Sequence, residues 1–366
     1  MKKAYRITVI GAGDRGGTYM RMLDKYYKGQ VVMAGVCDLR EDRMDKAFAD
    51  FGFESKDADW RKAIDQSHPD IVIVATPAYF HCDMSAYAME KGCDVLQEKP
   101  FDLDMKKCFA LKETAERTGK VLGIGLQYRN MKCHRAVKHM FEQNLLGDNR
   151  IVAYNDVRET RPKIAMHDAK FGNGGPMVDM ACHLFDLMRW YYGHDPVSVH
   201  APWRSSAKDR PSLESIEFKA PDTTAMTVTY EDGSLGMITM NWGLPKKVGG
   251  DLLCYAVGQE GLVNPYFPHS KQDSVSVLKE GGETVKVETL AEEADELENP
   301  EKTVFDKFIG QIEGTCSVQA SFEEGIVSLA TSMAAIKSGA LGRPVTLAEI
   351  LEEKPTILEC VLAKEG

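Results

Sequence analysis

The sequence predicts an α/β N-terminal domain with a doubly wound parallel sheet, followed by an α+β C-terminal domain with an open-faced, mainly antiparallel sheet. Three observations predict this. Over the first 127 residues, short apolar runs alternate with apolar residues at helical spacing. From about residue 150, strand-like segments instead follow one another between turn dipeptides. At 366 residues the chain also exceeds what one core usually supports. The boundary is expected at 127/128, giving domains 1–127 and 128–366.

In the first domain the runs 7–10, 31–37, 71–75, 94–97 and 121–127 read as strands. Unbroken apolar strands suit a sheet covered on both faces. Between them, sets such as Tyr19, Met22, Leu23 and Tyr26, or Met105, Phe109 and Leu111, mark the helices. In the second domain, 151–157, 197–203, 224–230, 235–241, 252–257, 274–278 and 284–289 read as strands. Asp232-Gly233 and Gly281-Gly282 are hairpin-turn pairs. One helix is expected to start at Pro176 and end before Gly193. Two more are expected over 303–313 and 322–338, with Gly339 as the stop of the second. The acidic stretch 291–298 reads as a solvated loop.

Composition narrows the function classes. Lys+Arg 45 against Asp+Glu 55 gives a net charge of −10, which argues against nucleic acid or an anionic membrane surface as partner. No apolar run approaches the roughly 18 residues of a membrane span. Residues 7–10 lead straight into a glycine turn rather than into a signal-peptide core. Nine scattered cysteines without a C-x-x-C pair suit reduced thiols and a cytoplasmic location. No metal site is expected.

Gly11-Ala12-Gly13-Asp14-Arg15-Gly16 follows the first strand and opens a helix. Bare Cα positions let backbone N–H groups approach a pyrophosphate, and the helix N-terminus favours its charge. Asp38, ending the second strand, is placed to accept the adenosine ribose hydroxyls and repel a 2′-phosphate. We therefore expect NAD rather than NADP, with Arg40 and Arg43 as the residues that argue the other way. Ala75-Thr76-Pro77 closes the third strand, where such sheets present ligand loops. His81, at the next helix start, fits a cap, a core position or a cofactor contact.

Glu98-Lys99-Pro100 ends the fourth apolar run, and Asp179 and His183 stand four residues apart on the helix expected from Pro176. Alone, a His one turn from an acid is commonly a structural pair. Here Gly172-Asn173-Gly174-Gly175 precedes it, a tract that lets backbone come close to a ligand.

Together these motifs resemble the glucose–fructose oxidoreductase/inositol dehydrogenase/MocA (Gfo/Idh/MocA) family over nearly the whole chain. The resemblance implies a nicotinamide-binding Rossmann domain and an open-faced sheet domain, with substrate held between them. It implies that Lys99 polarises the reacting hydroxyl, that His183 is general base, and that Asp179 holds substrate or tunes His183. It places Glu98 and Gln127 beside the cofactor, and Tyr128 and Arg129 toward the substrate. It also implies a homodimer or homotetramer joined through the open sheet face, and a Lys99–Pro100 bond that is often cis. Where many relatives carry a tryptophan before the glycine cluster, this chain has Met166-His167-Asp168. Asn155, Arg158, Arg161 and His167 are accordingly candidates for an unusual substrate wall.

The leading expectation is NAD-dependent oxidation of a secondary hydroxyl on a sugar, glycoside or cyclitol, leaning to glucoside 3-oxidation over inositol oxidation. Two other classes compete. One is an NAD-retaining glycosidase that oxidises transiently and eliminates the aglycone. The other is a non-catalytic nucleotide-binding protein, which has no need of a proton acceptor.

Overall fold

In this computed structural model the described residues are 4–161, 163–266, 272–290, 299–318 and 320–364. The acidic stretch 291–298 lies outside them. Two compact units are seen, one within 1–102, 106–126 and 301–325, the other within 103–105, 127–300 and 326–366.

The first unit begins β1 (Tyr5–Ile10), α1 (Asp14–Tyr26), β2 (Val31–Cys37), α2 (Glu41–Phe51), β3 (Ser55–Lys56) and α3 (Trp60–Ser67). It continues β4 (Ile71–Val74), α4 (His81–Glu90), β5 (Asp94–Gln97), α5 (Met105–Thr118) and β6 (Leu122–Ile124). The strands form one six-stranded sheet in the order β3-β2-β1-β4-β5-β6, and each pairing is parallel. The two-residue strand β3 is too short to leave an apolar run, so Glu98-Lys99-Pro100 follows the fifth strand rather than the fourth.

A single cut at 127/128 does not describe this unit. Val304, Phe305 and Phe308 return to it and share one buried cluster with Ile7, Leu23 and Leu96. The apolar stripe of a helix is covered wherever a matching face lies, whatever the sequence distance.

The second unit contains α6 (Lys132–Glu142), β7 (Ile151–Glu159), α7 (Pro176–Asp179), α8 (Ala181–Tyr192), β8 (Pro196–His200), β9 (Trp203–Arg204), β10 (Thr223–Tyr230) and β11 (Leu235–Leu244). It continues with β12 (Asp251–Gly258), β13 (Gly261–Tyr266), β14 (Ser274–Leu278) and β15 (Thr284–Glu288). After α9 (Pro300–Ile312), which belongs to the first unit from Glu301 on, come α10 (Phe322–Leu341), β16 (Val345–Thr346), α11 (Leu347–Glu353) and α12 (Ile357–Val361). The sheet has ten strands, in the order β15-β14-β13-β12-β7-β11-β10-β8-β16 with β9 beside β10. It is antiparallel except for β7 with β11. That pair runs parallel because a long crossover through α7, α8 and three strands separates its members.

Two expectations about helices are corrected. The stretch from Pro176 is two elements, since Met180, at φ −105° and ψ −44°, separates α7 from α8. Gly339 is not a stop, because α10 runs on to Leu341 and the left-handed residue after it is Gly342, at φ +71°. Gly339 instead makes room for an indole: a Cβ there would stand 1.9 Å from Trp203. The Trp203 Nε1–H donates to the Ile336 carbonyl at 2.8 Å.

Candidate active site

The nucleotide half is built from strand ends. Gly11 holds φ +98°, and a Cβ on it would stand 2.6 Å from the Ala75 carbonyl oxygen. A Cβ on Gly16 would stand 1.8 Å from the Gly11 carbonyl oxygen. Both glycines are therefore required by the close passage of β1 past the β4 loop and α1. Gly13 meets only the Arg43 guanidinium at 3.5 Å and leaves space in front of the turn. Asp38 accepts from the Ala12 N–H at 2.7 Å and the Arg40 N–H at 2.8 Å, which fixes its carboxylate beside that space.

A cavity of 320 Å³ opens there, lined by Gly11, Gly13, Asp38, Ala75, Thr76 and Pro77. Leu39, Arg43, Trp60, Phe80 and Met84 also line it. Trp60 and Phe80 give it the flat apolar sides that suit an adenine ring, and no motif in the sequence marks either of them. The residues present fit a dinucleotide.

Glu98 and Arg15 are tied to each other. Glu98 is buried; its Oε1 accepts from the Arg15 Nη2 at 2.7 Å and from the Tyr19 hydroxyl at 2.9 Å. Burial pushes its carboxyl up, but Arg15, Lys99 and Tyr19 outweigh this and hold it below the usual carboxylate range. Arg15 also reaches Glu301 at 3.0 Å. A partly buried guanidinium needs carboxylates, so Arg15 supports the turn from behind. The second Glu98 oxygen is buried with no donor among the described residues, an acceptor suited to a carboxamide N–H. The Gln127 Oε1 is buried in the same condition.

His81 is not presented to a ligand. It is fully buried, and its Nδ1 and Nε2 each lie 2.8 Å from a carbonyl oxygen, of Pro100 and Thr76 respectively. It ties the β4 loop to the loop carrying Lys99, whose bond to Pro100 is cis. Burial holds its pKa down, so it is no ready proton carrier.

In the second unit, His183 lies 2% exposed and face to face on Tyr128, with ring centroids 3.9 Å apart and 4° between planes. The His134 ring also lies nearly parallel to Tyr128, with centroids 5.9 Å apart. The Tyr128 hydroxyl points to the Met180 sulfur at 3.8 Å. Asp179 is buried and accepts from the Asn173 side-chain amide at 2.8 Å. Lys99 belongs to the first unit, whereas Asp179 and His183 belong to the second.

Several expected substrate contacts are placed otherwise. Arg129 is buried in a two-pronged ion pair with Asp186 and is committed there, because an unmatched buried guanidinium is costly. Asn155 lies on the opposite face of β7 from Asp156 and Arg158, as the two-residue strand period requires. His167 is 2% exposed, bonded through Nε2 to the Arg161 carbonyl at 3.2 Å, and kept neutral-leaning by burial. The glycine tract before α7 serves packing: a Cβ on Gly172 would stand 2.0 Å from the Ala165 oxygen, and one on Gly175 2.5 Å from Ala220. Arg158 and Arg161 do line a cavity, of 540 Å³, beside the ends of β7 and β12.

Residues 5–126 match the oxidoreductase family model described as an NAD-binding Rossmann fold, and residues 134–264 match the GFO/IDH/MocA C-terminal domain. The chain belongs to the Gfo/Idh/MocA oxidoreductase family. As a member it is an NAD-dependent dehydrogenase. Among Gfo/Idh/MocA relatives, inositol 2-dehydrogenase of Arthrobacter sp. (strain FB24) is 24% identical over 265 residues, covering 72% of this chain and 74% of that protein. D-glucoside 3-dehydrogenase of Escherichia coli (strain K12) is 22% identical over 353 residues, covering 93% and 97%. A solved oxidoreductase domain protein from Kribbella flavida shares the fold at TM-score 0.79 and 16% identity, covering 95% of this chain and 100% of that one. Among the described residues, no helix is long and apolar enough to cross a membrane, and no three His, Cys, Asp or Glu are grouped to hold a metal.

Proposed function

We propose that this dehydrogenase oxidises a secondary hydroxyl of a sugar, glycoside or cyclitol, with position 3 of a glucoside as the leading target. The observation that carries the reading is His183, buried and stacked on Tyr128, in a chain whose first half is a nicotinamide-binding domain. Stacking fixes the plane of the imidazole and therefore the direction of its ring nitrogens.

The Gly11–Gly16 turn and the Asp38 carboxylate would hold NAD, which would supply a hydride acceptor for the carbinol carbon. The hydroxyl proton must leave from the same group, and the His183 imidazole accepts it. The Lys99 ammonium stabilises the oxygen as it loses that proton. Asp179, held by Asn173, orients the substrate or the imidazole. Relatives named D-glucoside 3-dehydrogenase and inositol 2-dehydrogenase align over 93% and 94% of this chain, so both targets fall within the proposal and the assay chooses between them.

The experiment is to supply NAD with glucosides and inositols and follow reduced nicotinamide. Net reduction with a 3-keto product supports the reading; aglycone release without net reduction means a glycosidase instead. His183→Ala and Lys99→Ala should each lower kcat by about 10²–10⁴ while leaving NAD affinity in place. Full activity in either variant removes that residue from the mechanism.

A further inference from the structure

Arg161 has no ion-pair partner among the described residues. Its guanidinium lies 5.8 Å from the Trp242 ring centroid, with Arg158 at 5.6 Å from the same ring. Asp156, 1% exposed, is the carboxylate that pairs with Arg158, and both of its oxygens are committed. It accepts from the Arg158 Nε and from the Trp242 indole N–H at 3.0 Å. Arg158 is thereby neutralised. Among the described residues Arg161 has neither an ion-pair partner nor an acceptor, and its Nε is sealed from solvent without a hydrogen bond.

A guanidinium presents five donors in a fork that matches a two-oxygen anion, and a sealed N–H without an acceptor is costly. Two acids share the 540 Å³ cavity, Glu159 and Asp251, and neither comes within 4 Å of a guanidinium nitrogen of Arg161. Glu159 is turned to the Gly249 N–H at 2.9 Å, on a loop that also carries Lys246 and Lys247.

The wall is continuous with His183. His183 stacks on Tyr128, whose hydroxyl meets Met180, and the Arg158 Nη2 meets the same sulfur at 3.9 Å. From Arg158 the path passes over Trp242 to Arg161. The volume of the cavity suits one monosaccharide-sized group.

We infer that Arg161, backed by Trp242 and Arg158, binds an oxyanion on the substrate remote from the reacting hydroxyl, so that the substrate class is an acidic sugar or glycoside bearing a carboxylate or phosphate. This rests on the reading of His183 as the proton acceptor. The guanidinium fork supplies paired N–H donors to the anion, and the indole beneath it keeps the fork flat and partly dry.

The test is calorimetric titration of the NAD-loaded protein with matched pairs: methyl glucuronide against methyl glucoside for the carboxylate, and glucose 6-phosphate against glucose for the phosphate. In at least one pair the anion should bind about ten- to a hundredfold tighter. Arg161→Met, which keeps the stem over Trp242, should erase that preference. Arg161→Lys should keep part of it, which guards against a folding defect in the methionine variant. Equal binding of anion and neutral partner in both pairs, no binding of any of the four sugars, or a preference that survives in Arg161→Met, overturns the inference. The same four sugars are then assayed for NAD reduction. Anion preference in binding with no hydride transfer from any sugar sinks the proposed function alone. Hydride transfer with equal kcat/KM for acid and neutral sugars sinks this inference alone.

Discussion

In the N-terminal sheet all four residues of β4, Ile71 to Val74, are fully buried, whereas along β10 burial alternates, with Thr224, Met226, Val228 and Tyr230 inside and Ala225 exposed. The first sheet is covered on both faces, so its chemistry can lie only at strand ends, in the Gly11–Gly16 turn, at Asp38 and in the β4 and β5 loops. The second sheet is covered on one face. There a step of one residue decides between core and outside, which is why Arg158 and Asn155, three apart, point opposite ways. Placement in the first unit follows a topological rule; in the second it follows register.

Four changes break or sharpen that contrast. The largest effect is expected at Asp186, whose loss leaves Arg129 buried without its carboxylate. Asp186→Ala should destabilise the second unit by about 3–5 kcal/mol, read as a fall in the denaturant midpoint. An unchanged midpoint would mean that the pair is not closed in solution.

Next is Gly339. A methyl group 1.9 Å from Trp203 must displace the indole, so Gly339→Ala should cost about 1–3 kcal/mol. Gly342→Ala meets no neighbour within 4 Å and strains only its left-handed backbone, so it should cost about 1 kcal/mol. Thermal melts of the two variants rank packing against local conformation.

A third change concerns the strand-end rule. Asp38→Ala removes the carboxylate held beside the cavity and leaves Arg43 in its wall. NADP use, measured as kcat/KM relative to NAD, should rise about ten- to a hundredfold. An unaltered ratio would place cofactor choice elsewhere.

The smallest effect is in acid. The Glu98 carboxyl is held below its ordinary range when folded. A group depressed in this way contributes stability above its unfolded pKa, about 4.3, and loses it as pH falls through the folded value. Melting temperature should therefore drop more steeply below about pH 4 in the native chain than in Glu98→Gln.

The sequence by itself determined the parallel strand-helix alternation, the glycine turn, the acidic end of β2 and the change to a mainly antiparallel sheet. All of these are written in local spacing. Gly11 and Gly16 were legible as a motif because the close approach they permit comes from neighbours in the same βα unit. The commitment of Arg15 to Glu98 and Glu301, of His81 to two carbonyls and of Arg129 to Asp186 was not legible, since a buried polar group is defined by partners up to 286 positions away. Nor was the return of Val304, Phe305 and Phe308 to the first core, or Trp203 seated on Gly339. Only the tertiary structure decided which arginine of the 158–161 pair has a carboxylate and which does not. Spacing places a charge on a strand, but what answers that charge depends on the one Asp156 carboxylate that packing brings within reach.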